Sequence, residues 1–168
     1  METQEGLYKE GDWIVHPVYG TGQVIGKVNK GLSGKNQLFY TVKIDDGQYW
    51  LAEEHSKSKH VRPLATLVQI EDAITKVQEA PENLPDNLLS EKKRQHLSDE
   101  SILTKACLIR DLNGKKAASK LSREETAWLR KIKNQFLGEW SMVSDEASNF
   151  LGKKLNLALK TSIEKVQS

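Results

Sequence analysis

The spacing of the apolar residues changes once along this 168-residue chain, near Pro63, and that change restricts the fold more than any other feature. Before it, apolar side chains alternate in short runs: Trp13 to Val15, Gln23 to Val28, Leu38 to Ile44 and Tyr49 to Ala52. A period of two belongs to half-buried strands, so four or five short strands are expected in about sixty residues, as a small, strongly curved sheet or barrel. After Pro63 the period becomes about 3.6 and stays there, which is that of helices burying one face. The expectation is an α+β chain, a small N-terminal β-barrel followed by an all-α bundle of about five helices, divided into residues 1–64 and 65–168.

Turn chemistry supports the first half. Pro17 to Gly22 supplies the turn between the strands of Trp13/Val15 and Val24/Gly26/Val28, and Gly31 to Asn36 is a Gly- and Ser-containing loop. Asp46-Gly47 is a hairpin signal, because such residues accept the positive φ of a two-residue turn. Glu53 to His60 is polar and reads as an irregular edge or loop before Val61 returns to the core. In the second half, Ile70, Ala73, Ile74 and Val77 share a helix face that ends before Pro81. Ala80 to Asn87 reads as a linker with two prolines, with Asp86 or Asn87 capping a helix over Leu88 to Leu97. Ile102, Ala106 and Ile109, with Leu103, Cys107 and Leu112 beside them, predict the next helix, stopped at Asn113-Gly114 by a left-handed cap. Ser122 and Glu125 have the spacing of a capping box, ahead of the stripe Leu129, Ile132, Phe136 and Trp140. Ser144 with Asp145 and Glu146 opens the last helix, whose face is Ala147, Phe150, Leu151, Leu155 and Ala158.

Composition excludes several function classes. A hydrophobic share of 38%, with no run approaching the ~18 apolar residues of a membrane span and no secretory leader, predicts a soluble cytoplasmic protein. Cys107 is the single cysteine, so neither an intrachain disulfide nor a cysteine-based zinc site is available. Phosphate-loop, dinucleotide and nucleophile-elbow motifs are absent, and Gly20-Thr21-Gly22 reads as turn chemistry. His55 and His60 are five apart, which suits neither a helix face nor a strand face, and His16 reads as a wall of the barrel. No catalysis, metal or cofactor is expected. The 25 basic residues nearly balance 23 acidic ones, but they are bunched at Lys92/Lys93/Arg94, Lys115/Lys116/Lys120, Arg130/Lys131/Lys133 and Lys153/Lys154. Such clusters are either solvated helix faces or phosphate contacts.

The segment GDWIVHPVYGTGQVIGKV, Gly11 to Val28, resembles the opening of the CarD/CdnL family of bacterial RNA polymerase-binding proteins. LIRDLNGKKAASKLSREETAWLRKIKNQFLGEWSMV, Leu108 to Val143, is similar to that family's run of RDL, a polar link, LS, an acidic turn, a basic helix and GE. The two matches occur in the family's order and spacing. The opening module also occurs in the transcription-repair coupling factor, a much larger motor whose Walker-type loop this chain lacks.

The resemblance implies a Tudor-like or SH3-like domain that joins a lobe of the polymerase β subunit and a helical domain that contacts promoter DNA at the upstream edge of the bubble. The pair would modulate open-complex stability in a nucleoid-associated monomer. Tyr49, Trp50 and Leu51, on what reads as an edge strand with Lys30 and Lys43 flanking, are then the polymerase-binding candidates. Leu88 and Leu89, followed by Lys92, Lys93 and Arg94, are the candidate wedge and its phosphate contacts. Arg130, Lys131 and Lys133, placed opposite the Leu129/Ile132/Phe136 stripe, complete the DNA set. Here the chain departs from the family: Leu88 stands where many members carry a wedge Trp, and the segment after it is about three residues shorter. The competing reading is an adaptor with the same barrel whose helical domain binds another protein. A steep salt dependence separates a DNA contact from that case.

Overall fold

A computed structural model describes residues 7–32, 35–56, 61–84 and 101–167. The chain divides into two compact units, residues 1–64 and 65–168, each with its own core.

The first unit is an antiparallel five-stranded sheet: β1 (Trp13–His16), β2 (Gly20–Leu32), β3 (Lys35–Ile44), β4 (Gly47–Ala52) and β5 (Arg62–Pro63), with one helical turn, α1 (Glu53–Ser56), between β4 and β5. The strand order is β4-β3-β2-β1-β5. β4 and β5 are its edges and no ladder joins them among the described residues, so the sheet is open where the strand pattern alone predicts a barrel. Tyr8, Ile14, Val24, Tyr40, Val42, Leu51 and Val61 form the core. The Tyr40 hydroxyl accepts a hydrogen bond from the Tyr8 amide at 3.4 Å, and the two rings meet edge to face at 6.0 Å.

Three local features differ from the sequence expectation. A β-bulge lies between Val24 and Gly26. Val24 stands opposite core residue Val42, but past the bulge Lys27 faces Tyr40 and Val28 faces Phe39, so Val24/Gly26/Val28 do not share a face as simple alternation requires. The β3–β4 turn is Asp45-Asp46, because Gly47 already pairs with Ile44. The β2 and β3 ladder also extends into the expected Gly31 to Asn36 loop, pairing Gly31 with Asn36 and Leu32 with Lys35. The Pro17 turn forms as expected, with Gly20 at φ +72°, where a side chain would be strained.

The second unit holds α2 (Leu67–Val77), α3 (Ile102–Ala118), α4 (Arg123–Val143) and α5 (Ser148–Gln167). The helix expected over Leu88 to Leu97 lies outside the described residues. α2 packs on α3, α4 and α5, α3 on α4 and α5, and α4 on α5. The stripe Leu129, Ile132, Phe136 and Trp140 is buried, as its spacing predicts, and so are Ile70, Ala73 and Val77. The capping box of Ser122 and Glu125 is formed in both directions, and a second one, Thr66 with Gln69, starts α2.

Two helix boundaries need correction. α3 does not stop at Asn113-Gly114 but continues to Ala118, with Ser119 as its cap. Gly114 serves packing instead: a Cβ there would overlap the Pro81 ring. α5 begins at Ser148, and Phe150, assigned above to its buried face, is 59% exposed, as Ala147 is also exposed. The buried face is Leu151, Leu155, Ala158, Leu159 and Ser162, with the Ser162 hydroxyl donating to the Glu79 carbonyl at 2.6 Å. Leu103, expected beside the helix face of α3, is likewise exposed.

Several of the residues that carry the family resemblance have structural tasks. Arg110 and Asp111 are buried and paired at 2.8 Å, and Arg110 also donates to the Lys76 carbonyl and to Glu79. Asp111 accepts the Glu82 amide at 3.0 Å. This cluster ties α3 to the end of α2 and the chain beyond it. Glu139 is fully buried and accepts the Ala65 amide at 2.7 Å, fixing the chain where the helical unit begins.

Candidate interaction surfaces

In the sheet unit, register sorts the candidate residues by face, since neighbours on a strand point opposite ways. Trp13, Gln23, Lys43 and Gln48 form one row across four strands, Gly26, Thr41 and Trp50 the next, then Val28, Phe39 and Ala52, then Lys30 and Gln37. Lys43, Trp50 and Lys30 therefore share the outer face, with Trp50 between the two cations. Trp50 is 53% exposed, and the Lys30 ammonium lies over its ring, 2.8 Å from the centroid. Among the described residues no strand pairs with the outer side of the strand that carries Trp50, which is therefore a sheet edge.

Tyr49 and Leu51 are on the other face. Leu51 is 4% exposed and belongs to the core, so its side chain is not available to a partner and only its backbone edge is. Tyr49 packs against that core. Its ring stacks on Tyr19 at 4.2 Å and meets His16 at 5.4 Å, and burial, reinforced by Tyr19, pushes its hydroxyl well above the ordinary tyrosine range. The Tyr49 hydroxyl is buried with no hydrogen-bond partner among the described residues. His16 Nδ1 accepts the amides of Val18 at 3.0 Å and Tyr19 at 3.3 Å, which closes the β1–β2 turn and sets Tyr19 over Tyr49. The His16/Tyr19/Tyr49 cluster escaped the sequence reading because no local pattern links residues thirty positions apart.

In the helical unit, Leu88, Leu89, Lys92, Lys93 and Arg94 lie outside the described residues. Of the three candidate cations on α4, only Lys131 points opposite the buried stripe: at about 100° per residue, Arg130 and Lys133 flank it. Arg130 and Lys131 are exposed, whereas Lys133 is half-buried, and Arg130 and Lys133 line a common recess facing α3 and α5 that excludes Lys131. Among the described residues no group of three His, Cys, Asp or Glu side chains is placed to hold a metal ion, and the side chain of His55, with His60, lies outside them. No helix among the described residues is long and apolar enough to cross a membrane.

The first unit is thus an open antiparallel sheet with an exposed aromatic on its β4 edge, followed in sequence by a helical bundle. Residues 8–51 match the family model of the CarD-like/TRCF RID domain, a match consistent with a CarD-like family member. That domain is a non-enzymatic interaction domain of RNA polymerase-interacting, transcription-related proteins. The matched span runs from buried Tyr8 to Leu51 and includes all four long strands at least in part. No curated protein matches the chain.

Proposed function

We propose that this chain is a bacterial transcription regulator that docks on the RNA polymerase β subunit through the β4 edge of its sheet unit and touches upstream promoter DNA with its helical unit. It acts in the cytoplasm at the nucleoid, as a monomer, and shifts open-complex stability without catalysing a reaction. The observation that carries this reading is the RID-domain match together with what lies at its C-terminal end, an exposed sheet edge bearing Trp50 between Lys30 and Lys43. An edge of this kind accepts a partner strand, and the indole beside it supplies an anchor of the sort that dominates small interfaces. Differential contact with the melted promoter worth about 1 to 3 kcal/mol would suffice for the regulatory effect.

The test is capture of core RNA polymerase by the full chain. Wild type is expected to retain polymerase and Trp50→Ala to lose most of it, with the far-ultraviolet spectrum unchanged. If wild type captures no polymerase, the reading fails. For the DNA half, Arg130, Lys131 and Lys133 are the proposed phosphate contacts, with Leu88 or Leu89 as a weakened wedge ahead of Lys92, Lys93 and Arg94. Leu88→Trp is expected to lengthen open-complex lifetime at a single promoter, and an unchanged lifetime would remove this position from the bubble.

A further inference from the structure

Within the helical unit, the recess against α4 has a volume of about 330 Å³ and a floor that includes Leu129 and Leu137. Three cations stand around it: Lys116 from α3, and Arg130 and Lys133 from α4. Asn156 of α5 closes the far side, accepting from the Lys133 ammonium at 3.4 Å. Among the described residues its lining contains no carboxylate. Lysines placed only to cover apolar surface with their stems would turn their heads apart into water. Here the Lys133 ammonium is turned inward onto Asn156 and Lys116 lines the same recess; burial, and then Lys116, lowers the proton affinity of Lys133. The neighbouring Lys115, by contrast, is spent within the fold on the Glu125 carboxylate. Three cations on one recess whose lining holds no carboxylate among the described residues make a positive concavity, which is what an anion site requires.

We propose that this recess seats a single phosphate group, with Lys116 and Lys133 as converging ammonium donors and Arg130 as the guanidinium at the rim. Lys116 was not among the residues assigned to DNA from sequence. Cations drawn from two helices would meet a tetrahedral oxyanion from more than one side, and a phosphodiester of a duplex backbone or a free inorganic phosphate would use the same contacts. As a DNA contact the seat deepens the function proposed above and rests on it; as an anion site it stands by itself.

Two titrations of the full-length chain separate these. In the first, inorganic phosphate is added to ¹⁵N-labelled protein at low salt. Saturable shifts are expected at the amides around Lys116, Arg130 to Asn134 and Gly152 to Asn156, lost in Lys116→Gln and Lys133→Gln, and kept in Lys133→Arg and in Lys160→Gln, an exposed cation elsewhere on α5. Shifts that never saturate, or that survive Lys133→Gln, overturn the seat. In the second, a mixed-sequence duplex is titrated across a salt series. Each of Lys116→Gln and Lys133→Gln is expected to reduce the salt slope by about 1, with Lys160→Gln leaving it unchanged. If inorganic phosphate saturates the recess and no duplex binds, the seat holds for free phosphate and the DNA reading falls. If the duplex binds with an unchanged slope in both recess variants and inorganic phosphate does not saturate, the seat falls and the DNA reading stands.

Discussion

Tyr49 and Trp50 are chain neighbours with opposite tasks, because a strand sends one to the core and the other to solvent. Replacing Trp50 therefore tests binding without disturbing the fold, while replacing Tyr49 by a small residue tests both together. Tyr49→Phe is more informative: it keeps the stack on Tyr19 and removes a buried hydroxyl that has no partner among the described residues. At neutral pH this variant is expected to unfold at the same temperature as wild type or a higher one. Tyr49's folded proton affinity is raised above that of an unfolded tyrosine, near 10, so its stabilising contribution is complete below pH 10. That contribution is lost as pH climbs past 10 toward the raised folded value, since only the unfolded chain then releases the proton. Thermal melts between pH 9 and 11, chosen as about one unit either side of the tyrosine reference, should show wild type losing stability faster than Tyr49→Phe. Gly114 gives a second test at this scale. Gly114→Ala would raise helix propensity on a solvent-facing helix, but here the new methyl meets the Pro81 ring, so destabilisation of about 1 to 3 kcal/mol is expected from urea denaturation. A stabilised Gly114→Ala would show that the helix end is loosely packed.

Among the elements, α4 is the one most completely specified by its own residues. Its N-terminus has a two-way capping box, its buried stripe has the 3.6 period throughout, and both were legible in the sequence. Ser122→Ala is expected to cost about 1 kcal/mol in chemical denaturation. Burial opposes the charge on Glu125, but Lys115 and the Ser122 amide prevail and hold its carboxyl below the usual glutamate range. A depressed carboxyl stabilises the fold above the unfolded glutamate value and ceases to do so as pH falls through the folded one. Acid titration of Glu125→Gln should accordingly show a shallower loss of stability below about pH 4.5 than wild type, whatever its stability at neutral pH. The β4 edge was legible in outline: a short aromatic run after a turn reads as an edge strand. Its facing was not, because the bulge after Val24 and the Asp45-Asp46 turn set a register that alternation cannot supply. The end of α3 was misread for a related reason. Asn113-Gly114 carries the local signal of a helix stop, but burial of Leu112 and the close approach of Pro81 favour continuing the helix through it.

For the whole molecule, the two cores share no residue, and each unit's core is drawn from its own stretch of chain. Calorimetry is therefore expected to resolve two transitions that respond separately to substitution. Glu139→Ala, which strands the buried Ala65 amide, should lower only the helical transition, at a cost of about 1 to 3 kcal/mol. Tyr40→Leu, at the centre of the sheet core, should lower only the other. A single transition moved by both variants would show that the units fold as one. The same division predicts separable binding: recess substitutions should alter salt-dependent DNA contact and leave polymerase capture intact.

Period and punctuation in the sequence determined the order of elements, the border near Pro63, most of the buried stripes and the capped start of α4, because these depend on residues within a few positions of one another. Resemblance in GDWIVHPVYGTG and in the RDL and GE segments pointed to a polymerase-interacting chain. Tertiary structure alone decided which face of β4 Trp50 and Leu51 occupy, how His16, Tyr19 and Tyr49 meet, and why the buried Arg110, Asp111 and Glu139 hold the helical unit together. It also decided that Lys116 joins Arg130 and Lys133 while Lys131 stands apart. The reason is physical: side-chain facing and charge convergence depend on register, bulges and helix packing, which bring together residues that no local pattern connects.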